Sequence, residues 1–224
     1  MTGLIVFTRA ALVYATQDKR SPFNVHSGVS RKLANLRIDG WKAAIASNEC
    51  VGAWEKATAK NLSVGVQFRV QAACWFCDDV HTVSAILIGR GGILKVQSHS
   101  HNWLFTPEEP ILIRYKTIAS TITELQSIAN LCGISDAVFC PVLDGKILYA
   151  LSYESGRGWR SAMIMQRESW KPGPGMLDYL KDLKQLKSRQ CVAIGEDAND
   201  YTAADRARFR FIYSEDWRSD RATV

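Results

Sequence analysis

The sequence predicts an α+β fold: a mainly antiparallel sheet built from hairpins, with three or four helices packed on it. Three observations predict it. Residues 64–74 alternate, with Val64, Val66, Phe68, Val70, Ala72 and Cys74 on one face and Gly65, Gln67, Arg69, Gln71 and Ala73 on the other. A period of two over that length marks a half-buried strand. Turns at Gly89-Arg90-Gly91-Gly92 and Asp144-Gly145 lie between apolar runs, the pattern of β-hairpins. Helical stretches do not alternate regularly with strands, which argues against a doubly wound parallel sheet.

Taken in order, residues 3–15 read as one aliphatic strand and residues 17–28, with Pro22, Asn24 and Gly28, as a loop. Leu33, Leu36, Gly40, Trp41 and Ile45 recur at helical spacing through 29–47, and Ala53, Trp54 and Ala57 extend the stripe to about residue 59. After the strand at 64–74, residues 80–89 and 92–98 form a hairpin, and 111–116 is a further strand. Thr121-Ile122-Thr123-Glu124 has capping-box spacing and opens a helix that Gly133 ends. Residues 137–143 and 146–153 make the next hairpin, and 159–166 another strand.

Lys171-Pro172-Gly173-Pro174-Gly175 is the strongest loop signal in the chain. It sets the expected organisation: a main domain over 1–170 and a C-terminal helix–strand extension over 171–224, which also fits within the same domain. In that extension Met176, Leu177, Leu180, Leu183 and Leu186 repeat as a helix face, 190–194 is a short strand, 195–201 a polar loop, and 206–213 helix or strand.

The chain has 224 residues, 47% hydrophobic and 22% charged, values that exclude a disordered chain or a coiled coil. Arg9 interrupts the apolar start, so it makes a poor signal peptide. No apolar run reaches the roughly 18 residues of a membrane span. Six cysteines in a chain this long are no disulfide framework, and Cys50, Cys132, Cys140 and Cys191 sit among apolar residues. A reducing, cytoplasmic location fits.

The net charge of +6 favours anionic partners. Lys19, Arg20, Arg31, Lys32, Arg37 and Lys42 face Asp39 alone, so one segment carries most of that excess. Arginine also interleaves with aromatics at Arg157, Trp159 and Arg160, and at Arg208, Phe209, Arg210 and Phe211. Guanidinium groups hold phosphates, and rings stack on unpaired bases. The expected function is therefore nucleic-acid binding, RNA above all, as a subunit of a larger assembly with other protein partners. Binding is favoured over catalysis.

Two alternatives stand beside it. One is a self-assembling structural or scaffold protein. The other is a zinc-dependent or acid–base enzyme. Across the 89–92 turn, His81 comes to face His99 or His101, with Cys74 and Cys77 just upstream, and thiolate with imidazole suits zinc. Otherwise no cofactor is expected. His26, in a loop with Ser27, is the remaining candidate catalytic residue. No serine-hydrolase elbow, P-loop or dinucleotide fingerprint occurs, and no motif assigns the chain to a family.

Overall fold

The structure, a computed structural model, describes residues 3–15, 23–49, 118–141 and 145–224, together with the backbone of short strands between 54 and 115. The chain begins with β1 (Leu4–Phe7), α1 (Arg9–Leu12), β2 (Val13–Ala15), β3 (Phe23–Val25), α2 (Val29–Ile38) and β4 (Lys42–Asn48). Five short strands follow: β5 (Trp54–Glu55), β6 (Ala85–Gly89), β7 (Gly92–Val96), β8 (Asn102–Phe105) and β9 (Pro110–Tyr115). Next come α3 (Ile118–Cys132), β10 (Asp136–Cys140), β11 (Ile147–Glu154) and β12 (Gly158–Met165). The chain ends with α4 (Gly175–Leu183), β13 (Cys191–Gly195), α5 (Ala198–Ala207), β14 (Arg210–Tyr213) and α6 (Ser214–Arg218).

Two compact units result. Met1–Glu49 and Ile122–Val224 form the first, and Cys50–Thr121 the second, inserted between β4 and β10. Residues 171–224 thus lie in the same unit as the first 49. In the second unit β8 pairs with β9 and β9 with β5, while β6 and β7 form a hairpin with Gly89 opposite Gly92, the pairing expected from the turn.

The first unit is a seven-stranded sheet in the order β12-β11-β10-β4-β1-β13-β14. The pairs β10–β4, β4–β1, β1–β13 and β13–β14 are parallel, and only β10–β11 and β11–β12 are antiparallel. Leu4, Val6, Ala44, Ala46 and Val138 face Met176, Leu177 and Leu180 of α4 and Ala203, Ala204 and Ala207 of α5. On the opposite face Phe7 meets Trp217 of α6, with ring centroids 5.0 Å apart. Lys32 of α2 lies over that Trp217 ring, and Arg37 of α2 donates to Cys132 O of α3. Helices therefore cover both faces.

The expected hairpin-built antiparallel sheet is corrected by this topology: the core is doubly wound α/β. The reason is burial. The segments of β1, β10 and β13 are buried along their whole length, so they show short apolar runs with no alternation to read. Periodicity alone does not separate such a run from a helix segment. The helix expected through 29–59 ends at Ile38, because Gly40 takes φ +81° and the chain turns into β4. The strand expected over 3–15 breaks at Thr8 into α1 and β2. The polar loop expected at 195–201 becomes the start of α5, where Asp197 caps the helix by accepting from Asp200 N. The hairpin of β10 and β11, the strand β12 and the end of α3 at Gly133 formed as expected. The alternating segment at 64–74 lies outside the described residues.

Cys132, Cys140 and Cys191 are buried cysteines. Burial pushes the Cys132 and Cys191 thiols up to about 11. Residue-resolved alkylation at pH 8 is expected to leave both unmodified in the folded chain and to label both in denaturant; labelling of either in native buffer would contradict the packing. Phe7 is fully buried and Ile38 is 83% exposed. In denaturant melts Phe7→Ala is expected to cost about 3–5 kcal/mol, and Ile38→Ala no more than about 0.5 kcal/mol.

Candidate functional site

Chain order runs outward from β1 through β4 to β10 on one side, then returns to lay β13 and β14 on the other. In open α/β sheets this reversal parts the loops at the carboxyl ends of the central strands and leaves a crevice there. The crevice of this chain measures about 200 Å³. It is lined by Thr8, Arg9 and Ala10 after β1, Ser47 and Asn48 at the end of β4, and Lys171. Glu196, Asp197, Asn199 and Asp200, after β13, complete the lining.

Lys171 is the centre of this arrangement and only 6% exposed. Its main chain is clamped from both sides by one amide. Lys171 N donates to Asn48 Oδ1 at 3.0 Å, and Asn48 Nδ2 donates to Lys171 O at 3.2 Å. The ammonium donates to Ala46 O at 2.9 Å and to Asp200 Oδ1 at 2.7 Å. An ammonium has three protons. The third has no protein partner among the described residues.

Asp200 is fixed as firmly. Its Oδ2 accepts from Glu196 N at 2.9 Å. Gly195 makes the approach possible, since a Cβ there would lie 2.5 Å from Asp200 Cβ and 2.7 Å from Oδ2.

At the end of β4, Ser47 Oγ donates to Glu49 Oε1 at 2.7 Å, and both residues are buried. Arg9 Nη1 reaches Glu49 Oε2 at 3.3 Å and also pairs with Glu124 of α3. Thr8 N donates to Ile194 O at 2.9 Å, which ties the end of β1 to β13. The Thr8 hydroxyl is buried without a hydrogen-bond partner among the described residues. Such an orphan costs stability unless something satisfies it.

Among the described residues, those expected to hold nucleic acid do not converge. Arg160 lies on β12 and Arg210 on β14, the two outer strands of the sheet. Six strand spacings separate them, about 29 Å. Several are also engaged within the chain. Lys32 pairs with Asp220 and donates to Trp217 O, and that pairing lowers the Asp220 carboxyl from its ordinary value. Arg37 donates to the Cys132 and Gly133 carbonyls. Arg157 and Arg160 both pair with Glu154, and Arg210 donates to Thr223 O. Trp159 Nε1 donates to Asn130, and its ring packs edge-on against Tyr153. Phe209 is 6% exposed, and Phe211 is held between Tyr201 and Tyr213. Arg31 on α2, Lys42 at the start of β4 and Arg208 after α5 belong to three separate elements. Lys19 and Arg20 lie outside the described residues. The RNA-binding reading is corrected accordingly, because scattered and internally paired cations form no track for a polyanion.

His26 is not itself in the crevice lining, although it touches Ala10, which is. Its Nε2 meets Ala10 O at 3.1 Å, and its ring packs on Tyr14. Cys74, Cys77, His81, His99 and His101 lie outside the described residues. Among the described residues no three His, Cys, Asp or Glu side chains group so as to hold a metal ion. No helix among them is long and apolar enough to cross a membrane.

No protein-family model and no curated protein matches the chain. Solved structures similar to it include D,D-heptose 1.7-bisphosphate phosphatase from B. bronchiseptica complexed with magnesium and phosphate. That likeness has 14% identity and a TM-score of 0.44, over 93% of this chain and 78% of that one. Thermoplasma acidophilum 0175 is similar at 11% identity and a TM-score of 0.35, over 95% and 84% of the two chains. IMP-bound, N-terminally truncated IMP-nucleotidase of Plasmodium falciparum is similar at 10% identity and a TM-score of 0.34, over 97% and 66%. The named activities among them are those of a phosphatase and a nucleotidase. At such identities the likeness transfers no activity to this chain.

Removing one partner of a buried ion pair strands the other. Lys171→Met is expected to lower unfolding free energy by about 3–5 kcal/mol. Arg206 pairs with Glu168 at the surface, and Arg206→Met is expected to cost no more than about 1 kcal/mol. Equal costs in chemical denaturation would show that the Lys171 pair is not buried as described.

Proposed function

We propose that the crevice binds the phosphoryl group of a small phosphate ester and that the chain is a small-molecule hydrolase. The observation that carries this reading is the pairing of two unsatisfied donors at one place. Lys171, whose buried ammonium keeps a third proton, and Thr8, whose hydroxyl is buried, are both residues of the crevice lining. They come from different elements, so together they suit a ligand that offers several acceptor oxygens around one centre. A phosphoryl group is such a ligand, and hydrogen bonds from a charged donor to it are short and strong.

The outer lining differs in kind. Glu196, Asp197 and Asn199 are exposed and acceptor-rich, matched to hydroxyl groups on the rest of a small ester. The volume, about 200 Å³, suits such a molecule better than a polymer.

For hydrolysis, Lys171 and Thr8 stand where charge develops on the phosphoryl oxygens, the role that preorganised donors serve in catalysis. Ser47 lines the crevice and donates to the buried Glu49 carboxylate behind it, so a proton released by the attacking water would pass through that hydroxyl to Glu49.

Thr8→Val tests the reading because it separates binding from stability. It removes a hydroxyl that no described residue satisfies, so the free protein is expected to be as stable as the wild type or more so. Titration with inorganic phosphate, followed by calorimetry, is expected to show saturable binding that weakens about tenfold in the variant, the worth of one hydrogen bond to a charged group. Release of phosphate from a panel of sugar phosphates and nucleoside monophosphates reads the reaction. Wild-type protein that binds neither phosphate nor any such ester would sink the proposal.

A further inference from the structure

We infer that this crevice takes its phosphate-bearing ligand without a divalent cation, the positive charge being supplied by Lys171. The inference rests on the phosphate reading above and concerns how that site is built. It starts from the carboxylates. Asp200 gives Oδ1 to the Lys171 ammonium at 2.7 Å and Oδ2 to Glu196 N at 2.9 Å. Asp197 caps α5 through Asp200 N at 2.9 Å. Glu196 accepts from Ser214 Oγ at 3.2 Å and from Arg218 Nη1 at 3.3 Å. Behind the lining, Glu49 accepts from Ser47 and Arg9.

Magnesium demands octahedral oxygen ligands at short range, with one or two carboxylates turned toward it. In this chain each carboxylate of the crevice already spends an oxygen on a proton donor of the protein. The most buried of the lining carboxylates, Asp200, has an ammonium against it, and a divalent ion seated there would meet that charge at close range. The end of β1 brings Thr8, Arg9 and Ala10, none of which is a carboxylate. Magnesium accompanies phosphate in the heptose bisphosphate phosphatase structure. Here the donor set does not fit that ion. It fits a ligand held by ammonium and hydroxyl groups.

Two measurements on the full chain decide the matter, and they fail separately. Manganese titration followed by electron paramagnetic resonance reads the cation alone. The expected result is no bound manganese at submillimolar concentration, or binding that neither Asp200→Asn nor the pair Glu196→Gln and Asp197→Asn alters and that therefore does not use the lining carboxylates. Stoichiometric binding abolished by either set of substitutions would overturn the inference. Phosphate titration in EDTA and again with excess magnesium reads the ligand. Affinities within about twofold of each other are expected, and a rise of about tenfold or more with magnesium would overturn the inference. Absence of phosphate binding in both buffers would sink the phosphate reading itself, while the manganese result would still decide whether the crevice holds a cation.

Discussion

The buried pair of Lys171 and Asp200 is the interaction on which the rest of the site depends. It joins three parts of the chain that are distant in sequence. Ala46 at the end of β4 accepts from the ammonium, the segment after β12 carries the lysine, and the first turn of α5 carries the aspartate. Two charges leave water here, at a cost that only close geometry and further hydrogen bonds offset. Those bonds are present on both sides: the Asn48 clamp on the Lys171 main chain and the Glu196 amide on Asp200. A pair this constrained contributes less as net stability than as placement. It holds an ammonium under the reversal point of a parallel sheet, where a ligand can meet it.

The sheet explains why that place exists. Parallel strands send all their carboxyl ends to one side, and the change in winding direction between β1 and β13 separates the loops that follow them. Gly195 then lets α5 start close against β13, so Asp200 reaches the lysine. The same loops bring hydroxyls from Thr8 and Ser47 to the crevice. Chemistry at the site is therefore set by which residue ends each strand, and the helices on both faces hold those ends in register.

Part of this was legible in the sequence and part was not, for physical reasons. Hairpins announce themselves locally, through glycine at the turn and apolar runs on either side, so β6–β7 and β10–β11 were readable. The central strands were not. A strand such as Leu4–Phe7, buried on both faces, has no polar side to alternate with, and its continuation Arg9–Leu12 is apolar enough to extend the run through what is a helix turn. Lys42–Asn48 continues a helical stripe in the sequence because alanine and isoleucine suit either state.

The site was less readable than the fold. The loop holding Lys171 was evident from its prolines and glycines, but its partners lie 125 residues earlier and 29 residues later. No local pattern reports such a contact. Charge counting pointed to the arginines and lysines most visible in sequence, and several of these serve internal pairs, as Lys32 does with Asp220 and Arg160 with Glu154. Nothing local distinguishes Thr8 from other threonines, because its lack of a partner among the described residues is set by the fold around it.

The most direct test is lysine side-chain nitrogen NMR on the full chain, with the Lys171 resonance assigned by substitution. An ammonium held by Asp200 and Ala46 exchanges its protons slowly enough to give a protected signal, and that signal is expected to shift as inorganic phosphate is added. A Lys171 signal broadened by fast solvent exchange, or a protected one that phosphate leaves unmoved, would contradict the account.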